Sequence, residues 1–242
     1  MAPILALEAI AKRFGAVVVA DGIDFALNEG EAVGIIGPNG AGKTTLFSIA
    51  AGTIAPDAGR VLFAGEDITH LTAERRCRKG LARSFQIPQP FSGMTVFENV
   101  VVAAAFGANE AEAAVYDRCV ELLERCGLVN KANQSAGGLT LLDRKRLELA
   151  RALATKPHVL LLDEVAGGLT EHECTALVAL IKDVQARGVS IVWIEHVVHA
   201  LLATVDRLLV LHGGKLIAQG DPHVVIRSPQ VAEIYMGIAA DA

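Results

Sequence analysis

Three stretches carry residues whose types and spacing suit the chemistry of a nucleoside triphosphate. The first, Gly37-Pro38-Asn39-Gly40-Ala41-Gly42-Lys43-Thr44, fits G-x-x-x-x-G-K-[ST] between an apolar strand over 32–36 and a helix over 43–50. Its glycines let backbone amides approach phosphate oxygens, and the helix N-terminus adds partial positive charge. Lys43 suits the β and γ oxygens, and the Thr44 hydroxyl suits Mg2+. A bare turn between strand and helix needs neither lysine nor threonine at those places. No G-x-G-x-x-G occurs, so a dinucleotide fold has no support.

The second stretch, Val159-Leu160-Leu161-Leu162-Asp163-Glu164, is a buried strand that ends in two carboxylates. That is costly unless a cation or a reacting water occupies the exit. Beside a phosphate loop, Asp163 becomes the Mg2+-side carboxylate and Glu164 the group that polarises an attacking water. The third stretch is the apolar strand over 189–194, which leads to His196. Ligands sit at the carboxyl ends of parallel strands, so His196 reaches the same sheet edge. His196 and His199 carry little weight as a metal pair, having no further ligand nearby in sequence.

The elements that must position these residues follow from the pattern. Short strands are predicted over Ile4–Leu7, Ile23–Leu27 and Ala32–Ile36, separated by Gly and Asp turns. Further strands are expected over Arg60–Ala64 and Leu81–Phe85, before Pro88 and Pro90 mark a lobe boundary. Thr95 and Asn109 each stand three residues before a glutamate, opening helices toward Phe106 and Cys126. Thr170 to Arg187 reads as a helix with Leu177, Leu180, Ile181 and Val184 on one buried face, stopping at Gly188. Solid apolar runs at 159–162 and 189–194 are those of parallel strands covered on both faces.

Taken together, these stretches resemble the ATP-binding-cassette ATPases over nearly the whole chain. The resemblance implies an α/β fold: a P-loop NTPase core with an N-terminal antiparallel β subdomain and an inserted helical subdomain. It implies one domain over 1–242, with core 1–87 and 151–242 and helical subdomain 88–150. It implies ATP and Mg2+, held by Gly37, Asn39, Gly40, Ala41, Gly42, Lys43, Thr44 and Thr45, with Thr44, Gln86 and Asp163 toward the metal. Gln86 looks like the glutamine that contacts Mg2+ and water and senses the membrane partner. Phe14, before Gly15, sits where the family stacks a ring on adenine, and Glu164, His196, Lys43 and Gln86 would carry catalysis. Within the family, Gly80-Leu81-Ala82-Arg83-Ser84-Phe85-Gln86, the run Met94 to Val100, the run Arg146 to Leu153 and the tail from Gly220 to Gly237 are similar to ATPase subunits of bacterial branched-chain amino acid importers. The implied partners are membrane permease subunits, a second ATPase subunit and, indirectly, a solute-binding protein.

Two stretches depart from the family pattern. Where it has Leu-Ser-Gly-Gly-Gln, this chain reads Leu139-Thr140-Leu141-Leu142-Asp143, which keeps a hydroxyl at a helix start but replaces both glycines. The resemblance carries Thr140 to the ATP of a second subunit; it still suits an N-cap, and the leucines crowd the backbone approach that glycine allows. After Glu164, Val165-Ala166-Gly167-Gly168-Leu169-Thr170 lacks the usual proline and ends in threonine instead of aspartate, where Thr170 and Glu173 suit a capping box.

Composition bounds the rest. At 242 residues, the length allows one large α/β domain or two small lobes and needs no disulfide or metal staple. Hydrophobic residues at 52% exclude a disordered chain and fit one that buries a dimer face and a permease face. A net charge of -5, from 22 basic and 27 acidic residues, argues against a nucleic-acid partner. Cys77, Cys119, Cys126 and Cys174 form no Cys-x-x-Cys and read as reduced thiols. The N-terminal stretch places its charges after the apolar residues, unlike a secretion signal, and no apolar run approaches the length of a membrane span. The expectation is a cytoplasmic protein, peripheral on the inner face of the membrane. An ATPase of translation or DNA maintenance would show tandem cassettes or a long coiled coil, and neither is present. An export ATPase and a nucleotide-binding protein without turnover stay open.

Overall fold

The computed structural model describes residues 2–236. Strands β1 (Leu5–Phe14), β2 (Val17–Leu27) and β3 (Ala32–Ile36) precede α1 (Lys43–Ala51), β4 (Ala58–Phe63), β5 (Glu66–Asp67), α2 (Ala73–Arg78) and β6 (Leu81–Arg83). A helical segment follows, with α3 (Val96–Val102), α4 (Tyr116–Arg125) and α5 (Leu141–Ala154). The chain then forms β7 (Val159–Asp163), α6 (Glu171–Ala186), β8 (Ser190–Ile194), α7 (Val198–Leu202), β9 (Arg207–His212), β10 (Lys215–Gly220), α8 (Pro222–Val225) and α9 (Pro229–Met236).

Two sheets result. One is antiparallel, in the order β2-β1-β4-β5, and the other runs β10-β9-β3-β8-β7-β6. In the second sheet only the β9–β10 pair is antiparallel; β3, β6, β7, β8 and β9 pair in parallel. The central strands are buried on both faces, so their runs are mostly apolar, and the period of two sorts their side chains. Val33, Ile35, Leu161, Val192, Ile194 and Leu209 join the cluster shared with β1, β2 and α1. Their neighbours Ile36, Leu160, Leu162, Trp193 and Val210 join a second cluster that continues into Val100, Leu122 and Leu147 of the helical segment. The parallel strands all end at one edge, where the three stretches named above emerge.

Several expected boundaries move. β1 and β2 form one long hairpin, and the expected break at Asp21-Gly22 is a bulge, with Ile10 opposite Ile23 but Lys12 opposite Ala20. β6 stops at Arg83, two residues before its expected end. Thr95 caps α3 through a capping box with Glu98, but the helix passes into a π turn at Ala103–Gly107. Asn109 caps nothing: its φ is +56°, and Ala111 precedes a short 3-10 turn over Glu112–Ala114 before α4 begins at Tyr116. The asparagine takes a left-handed turn conformation open to it instead of the extended one an N-cap requires. α5 runs through residue 150 to Ala154, so one helix crosses the expected edge of the inserted segment. The four cysteines are free thiols, and burial raises the Cys126 thiol pKa to about 12. Gly237, at the end of the tail that resembles importer subunits, lies outside the described residues.

Candidate nucleotide site

The phosphate loop leaves β3 at Ile36 and enters α1 at Lys43, and its two outer glycines are required by close backbone contacts. A Cβ at Gly37 would lie 2.2 Å from the Leu211 carbonyl oxygen, and one at Gly42, where φ is +99°, would lie 2.1 Å from that of Val19. Gly42 therefore locks the loop onto β2 while its left-handed turn starts α1. Asn39, Gly40, Ala41, Lys43, Thr44 and Thr45 line a pocket of about 190 Å³ together with Val19 and Glu164. Lys43, 5% exposed, spans this loop and donates to the carbonyl oxygens of Gly37 at 2.7 Å and Pro38 at 3.1 Å. Burial lowers its pKa against the opposing pull of Glu164 and Asp163. A cradle of backbone amides with a cation across it fits a polyphosphate.

The carboxylates stand where β7 ends. Asp163 is 2% exposed, and its Oδ2 accepts from Arg83 Nη2 at 2.7 Å. Its Oδ1 is buried without a hydrogen-bond partner, although burial already raises the carboxyl pKa against the pull of Arg83. An orphan carboxylate oxygen of this kind fits a divalent cation, the partner that would satisfy it. Glu164 follows with φ of +49°, a strained conformation for a residue with a side chain, and its N–H donates to the Ile194 carbonyl at 2.8 Å. Its carboxylate is held from both sides. Gln86 Nε2 donates to Oε2, and His196 Nε2 lies 2.9 Å from Oε1. The structure thus brings Lys43, Gln86, Glu164 and His196 together around the loop. Gln86 and His196 lie in the turns beyond β6 and β8, three and two residues past the strand ends.

Phe14 is half exposed at the tip of the β1–β2 hairpin, with Lys12 Nζ 5.5 Å from its ring centre. Thr140 caps α5: its hydroxyl accepts from Asp143 N–H and donates to Asp143 Oδ2 at 2.8 Å. Leu141 is 46% exposed and packs on Gly168. His199 lies 3.9 Å from Cys174 Sγ.

Three residues escaped the sequence reading. Arg83 bridges Asp163 and the Ser48 hydroxyl of α1, and its guanidinium stands over the rings of Phe47 and Phe85. Glu195, 1% exposed, accepts backbone N–H groups from Ala166 and His196. Lys145 of α5 is also buried, and its Nζ lies 3.4 Å from the Glu164 carbonyl. The signal for Glu195 was present: it is an acidic residue just past the apolar run Ile191–Ile194, as Asp163 follows Val159–Leu162.

The sequence profile of the ABC transporter family matches residues 20–167. The chain belongs to that family. ABC transporter ATP-binding chains share ATP hydrolysis, and this cassette is similar over nearly its full length to proteins of amino acid transport. The high-affinity branched-chain amino acid transport ATP-binding protein BraF of Pseudomonas aeruginosa is 35% identical over 254 residues, covering 98% of this chain and 99% of the relative. LivG of Escherichia coli, which carries the same description, is 34% identical over 252 residues with the same coverage. An ABC transporter cassette solved in its ADP conformation matches with a TM-score of 0.89 at 31% identity, covering 98% of this chain and all of that one.

Proposed function

We propose that this chain is the ATP-hydrolysing subunit of an importer for branched-chain amino acids or related small polar solutes. The observation that carries the reading is its likeness, over 98% of its length, to ATP-binding proteins of branched-chain amino acid transport. The chain works on the inner face of the membrane beside permease subunits, and a solute-binding protein together with the permease chooses the cargo. None of its described helices is long and apolar enough to cross a membrane, which fits a peripheral subunit.

In this reading the loop from Gly37 to Thr45 holds the ATP phosphates and Lys43 neutralises the β and γ oxygens. Phe14 stacks on adenine. When bound, Mg2+ would supply further charge neutralisation there, and Thr44, Asp163 and Gln86 are the residues that would hold it. Glu164 polarises the attacking water, with Gln86 and His196 fixing its carboxylate on either side. Thr140 presents the signature stretch to the ATP of a second ATPase subunit.

The test is uptake of labelled leucine, isoleucine and valine into vesicles carrying the chain with its copurified membrane partners. Uptake should require ATP and vanish with Glu164→Gln. Uptake that survives this substitution, or copurification with no permease, would overturn the proposal.

A further inference from the structure

We infer that Glu195 is a positioning residue that sets the spacing of Glu164 and His196. This deepens the reading above, since it rests on Glu164 and His196 working at one phosphate. Strands β7 and β8 pair in parallel, and two rungs tie the turns that leave them. Glu164 N–H donates to the Ile194 carbonyl at 2.8 Å, and Ala166 N–H donates to Glu195 Oε2 at 2.9 Å. The other oxygen, Oε1, accepts from His196 N–H at 3.0 Å and, more weakly, from Val197 N–H at 3.5 Å. One carboxylate therefore holds the turn just past Glu164 with one oxygen and the turn carrying His196 with the other. Between those anchors the side chains meet, with His196 Nε2 2.9 Å from Glu164 Oε1.

The grip needs a carboxylate. Both oxygens act as acceptors, and a glutamine would turn an NH2 donor toward one of the two N–H groups. An aspartate would fall one methylene short. A buried donor left facing a donor costs its full desolvation. The negative charge in turn needs a balancing cation, and α5 supplies Lys145, 5% exposed. Burial lowers the Lys145 pKa, while the charges of Glu195 and Glu164 hold it up. Lys145 also ties the signature helix to the first of these turns, through the Glu164 carbonyl at 3.4 Å.

The rival explanation is that Glu195 and Lys145 only balance one another inside the fold. Glu195→Gln, Lys145→Met and the double variant separate the two, measured on the full-length chain. Amide hydrogen exchange at Ala166 and His196 reads the grip without any hydrolysis. In Glu195→Gln at least one of these amides should exchange about tenfold faster or more, as expected for loss of one buried hydrogen bond. Its kcat should fall about 10- to 100-fold through misplacement, while KM and the affinity for a fluorescent ATP analogue stay within about twofold. The double variant removes both charges, so its Tm should return toward wild type while the kcat deficit and fast exchange persist. Unchanged exchange at both amides in Glu195→Gln, or wild-type kcat in the double variant, would overturn the inference. Faster exchange with unchanged turnover would overturn it as well, whereas wild-type turnover in Glu164→Gln would instead overturn the reading on which it rests.

Discussion

Lys43 meets only neutral carbonyl oxygens in its own loop, so it can exchange them for phosphate oxygens without breaking an ion pair. Lys43→Ala should weaken ATP binding by about 100-fold or more, since charge-assisted hydrogen bonds are worth roughly 1.5–3 kcal/mol each. Titration with a fluorescent nucleotide measures this, and unchanged affinity would count against the loop assignment. Glu164→Gln should keep ATP affinity and lower kcat by about 10² to 10⁴, the range of a lost general base. The phosphate loop, Asp163 and Glu164 were legible because a glycine pattern with Lys and Thr, and carboxylates on an apolar strand, have few other uses. Arg83, Lys145 and Glu195 were not. Each is a charged residue whose partner is distant in sequence: Asp163 lies 80 residues from Arg83, and Ala166 lies 29 from Glu195.

At the scale of elements, α5 reaches both the Glu164 turn and the segment just past Gln86. Thr140 caps it, Lys145 reaches the Glu164 turn, and Arg151 Nη1 donates to the Gln89 carbonyl just past Gln86 and to Glu148 Oε2. Burial raises the Glu148 pKa, against the pull of Arg151 and of the Gln89 and Phe85 amides. The folded chain therefore binds this proton more tightly than the unfolded one, and Glu148 costs stability at pH values above its folded pKa. That cost is relieved as pH falls through the folded pKa toward the ordinary value of 4.5. Glu148→Gln should accordingly melt higher than wild type near about pH 8, and the gap should close toward about pH 5. Thermal melts across that range check the sign, and a gap that widens on acidification would refute it. The capping boxes at Thr95 and Thr170 were readable because their partners are three residues away, whereas Asn109 carried the same spacing without the extended backbone a cap needs.

Across the whole molecule, one apolar cluster joins the underside of the six-stranded sheet to the helical segment. The two should unfold in a single transition by calorimetry and by tryptophan fluorescence, since Trp193 belongs to that cluster. Separate transitions would show that the helical segment is held only by its ends. The same scale carries the consequence of the altered signature. A site built on this chain's phosphate loop is complete if a different partner subunit brings an intact signature, while the opposite site receives Thr140-Leu141-Leu142-Asp143. In a purified heterodimer, losing Glu164 should abolish most turnover. Losing the partner's glutamate should leave much of it, because one missing phosphoryl donor costs about 10² to 10³ in rate. Equal losses, or full activity in a homodimer, would sink the asymmetry.

Because α5 runs unbroken from Leu141 to Ala154, it behaves as a rigid lever about 20 Å long. If it pivots near Ala154, displacement grows with distance from that end. Glu148 sits six residues from the pivot and Thr140 fourteen, so the grip at Gln89 travels less than half as far as the signature tip. A small push delivered near the glutamine turn is geared up at the far end, and a large excursion of the tip returns as a smaller one beside Gln86.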